Sequence, residues 1–117
     1  LHYLNKKIGE TMPAVISAYQ RAHDQRDADG ALASFGPDAT VIDEGVAYVG
    51  PERIRWWLMN AASEYTYTRT LTGAEDLGDG AYLVHNHLSG DFPGGEADLR
   101  YRFQLRDGLI HHVEIAP

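Results

Sequence analysis

The sequence predicts an α+β domain in which helices come first and long antiparallel strands come last. Three observations carry that prediction. Apolar residues recur every three or four positions through the helical segments of the first half, then every second position from Tyr65 onward. Turn signals at Gly78-Asp79-Gly80, Pro93-Gly94-Gly95 and Asp107-Gly108 divide the second half into segments of strand length. The 117 residues, 44% of them hydrophobic, suit one core of ordinary globular composition, so 1–117 is read as one domain with 1–10 as an N-terminal extension.

Taken in order, Thr11 is placed to cap a first helix with Pro13 in its first turn, and Met12, Val15, Tyr19 and Ala22 make its apolar stripe. His23, Asp24, Arg26 and Asp27 mark the polar end. A second short helix carries Ala31, Leu32 and Phe35 until Gly36-Pro37 stops it. Ala39 to Asp43 reads as a strand, Glu44-Gly45 as a turn, and Val46 to Val49 as the returning strand of a hairpin. Gly50-Pro51-Glu52 opens a third helix, because proline's fixed φ suits the first turn and an acid suits the positive end of the helix dipole. Ile54, Trp57, Leu58 and Ala61 form its buried face, which turns the adjacent Trp56 away from the core. A four-strand meander follows.

Alternation along those last strands sorts their side chains onto two faces. Thr66, Thr68, Thr70 and Thr72, His85 and His87, Arg100 and Arg102, and His112 and Glu114 share a polar face. Tyr67, Arg69 and Leu71, Val84, Asn86 and Leu88, Leu99, Tyr101 and Phe103, and His111, Val113 and Ile115 share the face that meets the helices. Arg69, Asn86 and His111 do not belong in a dry core. With the tyrosine hydroxyls and the strand-end carboxylate of Asp43 they predict an apolar pocket with a few convergent polar groups, its walls including Trp57, Val84, Leu99, Phe103 and Val113.

The formal charge of −7 argues against wrapping a phosphate backbone, so no nucleic-acid partner is expected. No apolar run reaches the roughly 18 residues of a membrane span, and Lys6-Lys7 is followed by Ile8-Gly9-Glu10-Thr11 rather than by a signal's apolar stretch; a cytoplasmic protein without membrane contact is expected. With no cysteine, thiolate metal sites and cysteine nucleophiles are excluded. The pairs His85 and His87, and His111 and His112, raise a metal site, with Glu114 and His112 as further ligands, but His85, His87, His112 and Glu114 lie on the polar face, which favours a solvated or dimer-facing patch, and no metal is expected.

The order of elements and several local strings resemble the nuclear-transport-factor-2-like (NTF2-like) superfamily, in its ketosteroid isomerase and SnoaL-like polyketide cyclase branch. The carriers are the Tyr19 helix, Asp29-Gly30-Ala31-Leu32 leading to Phe35, the run Asp38 to Asp43, Gly50 opening the third helix, Leu71-Thr72-Gly73, and Phe103 to Ile110. The resemblance spans about residues 12 to 116. It implies a cone built from a curved sheet wrapped around three helices, with a deep pocket and usually a homodimer. It also implies a proton-shuttling carboxylate at the end of the first strand, which maps onto Asp43, and a helix tyrosine that stabilises an oxyanion, which maps onto Tyr19. The family's second acid falls on Tyr101, so the donor pair becomes Tyr19 with Tyr101. Asp43 with Arg69 hints at the epoxide-hydrolase variant of the scaffold. His111 with the inward tyrosines hints at the dehydratase variant.

The expectation is therefore an enzyme that binds a small apolar organic ligand bearing a carbonyl or hydroxyl group. It would perform cofactor-free proton transfer of the isomerase, cyclase or dehydratase kind, with Asp43 as base, Tyr19 and Tyr101 as donors, and Asn86, His111 and Arg69 as polar contacts. Two bland alternatives stand beside it: Asp43 as a turn residue, or Asp43 locked to Arg69. A non-catalytic ligand-binding or dimerising, partner-docking domain competes at the level of the whole chain.

Overall fold

The computed structural model describes residues 11–117. The proposed 1–10 extension lies outside the described residues. Helix α1 spans Ala14–Asp24 and α2 spans Ala28–Leu32. Strands β1 (Phe35–Asp43) and β2 (Val46–Val49) precede α3 (Pro51–Met59), and β3 (Tyr67–Gly78), β4 (Ala81–Gly90), β5 (Glu96–Arg106) and β6 (Leu109–Ala116) follow. The six strands form one open mixed sheet in the order β2-β1-β6-β5-β4-β3. The meander β3 to β6 is antiparallel throughout, and β1 closes against β6 in parallel.

The helices follow the expected logic with two adjustments. Pro13, not Thr11, caps α1, and Ile16 is buried beside Tyr19 and Ala22 as the stripe's main anchor. In α2 the Asp27 side chain accepts from the Gly30 amide at 2.9 Å. A Cβ at Gly30 would strike that capping carboxylate, so glycine is fixed there by close approach. Phe35 lies outside α2. It starts β1, paired with Ile110, because the helix ends at Leu32 and the chain is already extended before Gly36-Pro37. Ala61 likewise lies beyond the end of α3 and is exposed, whereas Ile54, Trp57 and Leu58 are buried. The two tryptophans part as expected: Trp57 is 1% exposed and Trp56 is 47% exposed.

The β1–β2 hairpin closes through Glu44 (φ 51°) and Gly45 (φ 76°), the all-positive pattern of a two-residue I′ turn. It leaves Asp43, paired with Val46, as the last residue of β1. Along β4 and β5 the alternation holds: Val84, Asn86, Leu88, Tyr101 and Phe103 are buried while their neighbours face out. It fails at the start of β6. Gln104 pairs with His112 but Leu105 pairs with Ile110, so His111 is the extra residue of a bulge. The bulge turns Ile110 into the core and leaves His111 half-exposed, which corrects the inward assignment of His111.

The core joins Ile16, Tyr19, Ile54 and Trp57 from the helices to Val41, Val84, Phe103 and Val113 from the sheet. No described helix is long and apolar enough to cross a membrane.

Candidate functional site

A hollow of about 420 Å³ opens between the ends of α1 and α3, the end of β1 and the inner faces of β4 to β6. Four of the sequence-predicted residues line it: Asp43, Trp57, Leu99 and Tyr101. Trp57 is directed there because Ile54, Trp57 and Leu58 share one face of α3. Its indole Nε1 donates to Oδ2 of Asp43 at 2.9 Å. The half-buried carboxyl is thereby oriented on one oxygen, and among the described residues it forms no ion pair with a cation.

Alternation along β5 aims Tyr101 and Leu99 into the same space, and Tyr67 reaches it from β3. The Tyr101 ring stacks on Phe103 with centroids 6.2 Å apart. Burial, then the Tyr67 and Asp43 charges, push its hydroxyl well above the ordinary tyrosine range, so it is a donor and not an anion at neutral pH. Burial also pushes Tyr67 up. Neither hydroxyl has a hydrogen-bond partner among the described residues. Both are free to serve a bound molecule.

Tyr19 does not reach the hollow. It is fully buried, and its hydroxyl meets Nδ1 of His23 at 2.9 Å, one helical turn on. His23 is the residue on the lining, its ring edge-on to Trp57 at 5.5 Å. Burial, which outweighs the opposing Asp24 charge, pushes its pKa down. The ring is therefore neutral, and the Ala62 carbonyl near Nε2, though it forms no well-formed hydrogen bond, favours the tautomer that carries its proton there and accepts from the Tyr19 hydroxyl through Nδ1. Reading His23 as the polar end of α1 missed this. The available signal was its i+4 spacing from Tyr19.

Arg69 and Asn86 face inward but form a cluster of their own. The guanidinium grips Asp24 through both oxygens, at 2.9 and 2.8 Å, and donates to Asn86 Oδ1 at 2.8 Å and Gln20 Oε1 at 3.3 Å. With Asp24 holding the fork, the Asp43–Arg69 pair is not formed, and neither is the arrangement that hinted at epoxide opening. Val84, Phe103 and Val113 are wholly buried and lie in the core behind the lining. His111 sits away at its bulge.

On the opposite face the histidines pair with acids. His85 bonds Glu75 at 2.9 Å, while His87 bonds Asp98 at 2.7 Å and Glu96 at 3.2 Å. Among the described residues no three His, Asp or Glu side chains are placed to hold a metal ion.

The mouth of the hollow is built from segments with little regular pattern. Tyr65 precedes β3 and packs edge-on against Phe92 of the 91–95 loop, centroids 6.2 Å apart. That loop departs at Gly90, where a Cβ would collide with the Thr66 carbonyl and the Tyr67 backbone. Arg26, in the left-handed region at φ 57°, ties the 63–66 segment to α1 by donating to the carbonyls of Ser63 at 3.1 Å and Tyr65 at 2.8 Å.

No protein-family model matches the chain, and no curated protein matches it. Solved structures do. A candidate polyketide cyclase from Sinorhizobium meliloti is 33% identical, with 90% of this chain and 95% of that one covered and a TM-score of 0.84. A protein with a ketosteroid isomerase-like fold from Catenulispora acidiphila, solved with trimethylamine, is 19% identical over 92% of this chain and 87% of that one, TM-score 0.79. An NTF2-like protein from Cytophaga hutchinsonii is 13% identical over 87% of this chain and 85% of that one, TM-score 0.69.

Proposed function

The chain belongs to the NTF2-like superfamily, and from that premise we propose that it is an enzyme of cofactor-free proton transfer on a small, mostly apolar carbonyl compound. The observation that carries this reading is the indole-oriented Asp43 carboxyl on a hollow large enough for an organic ligand, with the unpartnered Tyr101 hydroxyl on the same lining.

The chemistry follows from those groups. Asp43 takes a proton from the carbon next to the substrate carbonyl, and the electron pair of that C–H bond moves onto the carbonyl oxygen. Tyr101, seconded by Tyr67, donates a hydrogen bond to that developing oxyanion in a site of low dielectric. The protonated Asp43 then returns the proton to another carbon for isomerisation, or to a departing hydroxyl for dehydration. In cyclisation the enolate carbon attacks a second carbonyl carbon of the same substrate, the π pair of that carbonyl moves onto its oxygen, and the protonated Asp43 gives its proton to the resulting alkoxide. Tyr19 acts one step removed, its hydroxyl holding the His23 ring in place against Trp57. We place the protein in the cytoplasm as a homodimer of one-domain chains.

The test pairs binding with turnover. The wild-type protein is expected to bind 2-naphthol, a planar enol mimic, and to accelerate deuterium uptake at the α-carbon of 2-tetralone in D2O. Asp43→Asn keeps the binding and loses the acceleration. Retention of full acceleration in that variant excludes the proposal.

A further inference from the structure

The outer part of the hollow carries chemistry that proton transfer leaves unused. Besides Asp43, its lining holds a second carboxylate, Glu44, and the rings of Trp57, Tyr65, Tyr67, Phe92 and Tyr101. No lysine or arginine is among the lining residues, and its one basic side chain, His23, is kept neutral by burial. Arg26, which donates to the carbonyls of Ser63 and Tyr65 beside the mouth, lines a smaller adjoining hollow together with Asp24 and Asp27.

The mouth itself is negative. Glu44 stands on the lining, and Asp91 at the start of the 91–95 loop accepts from the Thr66 amide at 2.8 Å, next to Tyr65; the charges of Glu64, Glu44 and Asp91 all push the Tyr65 hydroxyl up. Glu44 is exposed, held out by its left-handed turn conformation, and has no ion-pair partner among the described residues. Aromatic faces carry the negative side of a quadrupole, so a lining of rings and carboxylates with no lysine or arginine among its residues suits an ammonium group. The net charge of −7 adds long-range attraction of the same sign.

We propose that the hollow takes a ligand bearing a protonated or quaternary amine, its cationic end held at the mouth by Glu44 and the Tyr65 and Phe92 rings and its apolar part lying on Trp57 and Tyr101. The inference rests on the proposed reading of this hollow as the substrate site and adds the charge of the substrate to it. It makes the mouth a selectivity filter: an anionic ligand of the same size meets uncompensated carboxylates and gains nothing from the ring faces.

The test is calorimetric titration of the intact protein with three probes of closely matched size: 2-phenylethylammonium, 2-phenylethanol and phenylacetate. The cation is expected to bind roughly tenfold more tightly than the alcohol and the anion more weakly than either, with the spread shrinking as salt is raised. Glu44→Gln, at an exposed turn position outside the proton-transfer machinery, is expected to cut the cation's affinity severalfold and leave the alcohol's unchanged. Equal or tighter binding of the anion, failure of the cation to bind, or an unaltered cation affinity in Glu44→Gln overturns the assignment. Exchange on 2-tetralone, a neutral ketone, reads the proton-transfer proposal separately, so the failure of one is told apart from the failure of the other.

Discussion

The indole Nε1 of Trp57 donates to Asp43 Oδ2 at 2.9 Å, so one core side chain, 1% exposed, fixes the direction of the carboxyl that faces the hollow. Trp57→Phe keeps most of the buried ring volume and removes that donor. Hydrogen bonds to charged groups contribute about 1.5–3 kcal/mol, so chemical denaturation should show a loss of about 2 kcal/mol. Deuterium exchange on 2-tetralone should fall about tenfold, because the carboxyl is no longer held to one orientation.

Tyr101→Phe separates catalysis from stability. The residue is 5% exposed and its hydroxyl has no partner to lose among the described residues, so the denaturation free energy should stay within about 1 kcal/mol of wild type. The exchange rate should drop on the order of a hundredfold, as removal of one oxyanion donor does elsewhere. A large stability loss with unchanged exchange would show that the hydroxyl serves the fold.

Arg69 is expected to be a residue of stability and not of chemistry. Arg69→Ala strips partners at once from Asp24, Asn86 and Gln20, the last two of which already have amide nitrogens without partners. With the guanidinium itself largely buried, the loss should be about 2–4 kcal/mol by urea denaturation. Among molecules that remain folded, affinity for 2-naphthol should be close to wild type.

His23 sets a pH dependence whose sign follows from its lowered pKa. The folded protein disfavours the imidazolium, so the unfolded chain binds the proton first as pH falls below about 6.5. The stabilisation is complete above that value and is lost as pH falls toward the lower folded pKa. Urea midpoints at pH 7.5 and pH 5 should therefore differ less in His23→Gln than in wild type. An equal or larger difference in the variant would place the titrating group elsewhere.

Much of this fold was legible because hydrophobic period and turn chemistry are local properties. The change of period at Tyr65, the Asp-Gly and Glu-Gly turns and the Gly50-Pro51 helix start each specify their element without help from distant residues. What was not legible depended on choices between partners. Alternation placed Arg69 on the correct face but could not say whether Asp24 or Asp43 would take its fork. A single extra residue at His111 reversed the faces at the head of β6, and nothing in Leu109-Ile110-His111-His112 announces a bulge. Tyr19 was placed in the interior by its stripe, yet the side chain that relays it to the hollow, His23, resembles an ordinary polar helix end. The mouth residues Tyr65 and Phe92 come together through non-repeating segments, where side-chain direction is set by tertiary contact.

The most direct test of the account is whether the Asp43 carboxyl faces what the hollow binds. In protein labelled with 13C at aspartate side-chain carboxyls, titration with 2-naphthol should move the Asp43 signal in step with ligand occupancy and leave those of Asp76 and Asp98 in place. Saturation of the hollow with an unmoved Asp43 signal would contradict the account.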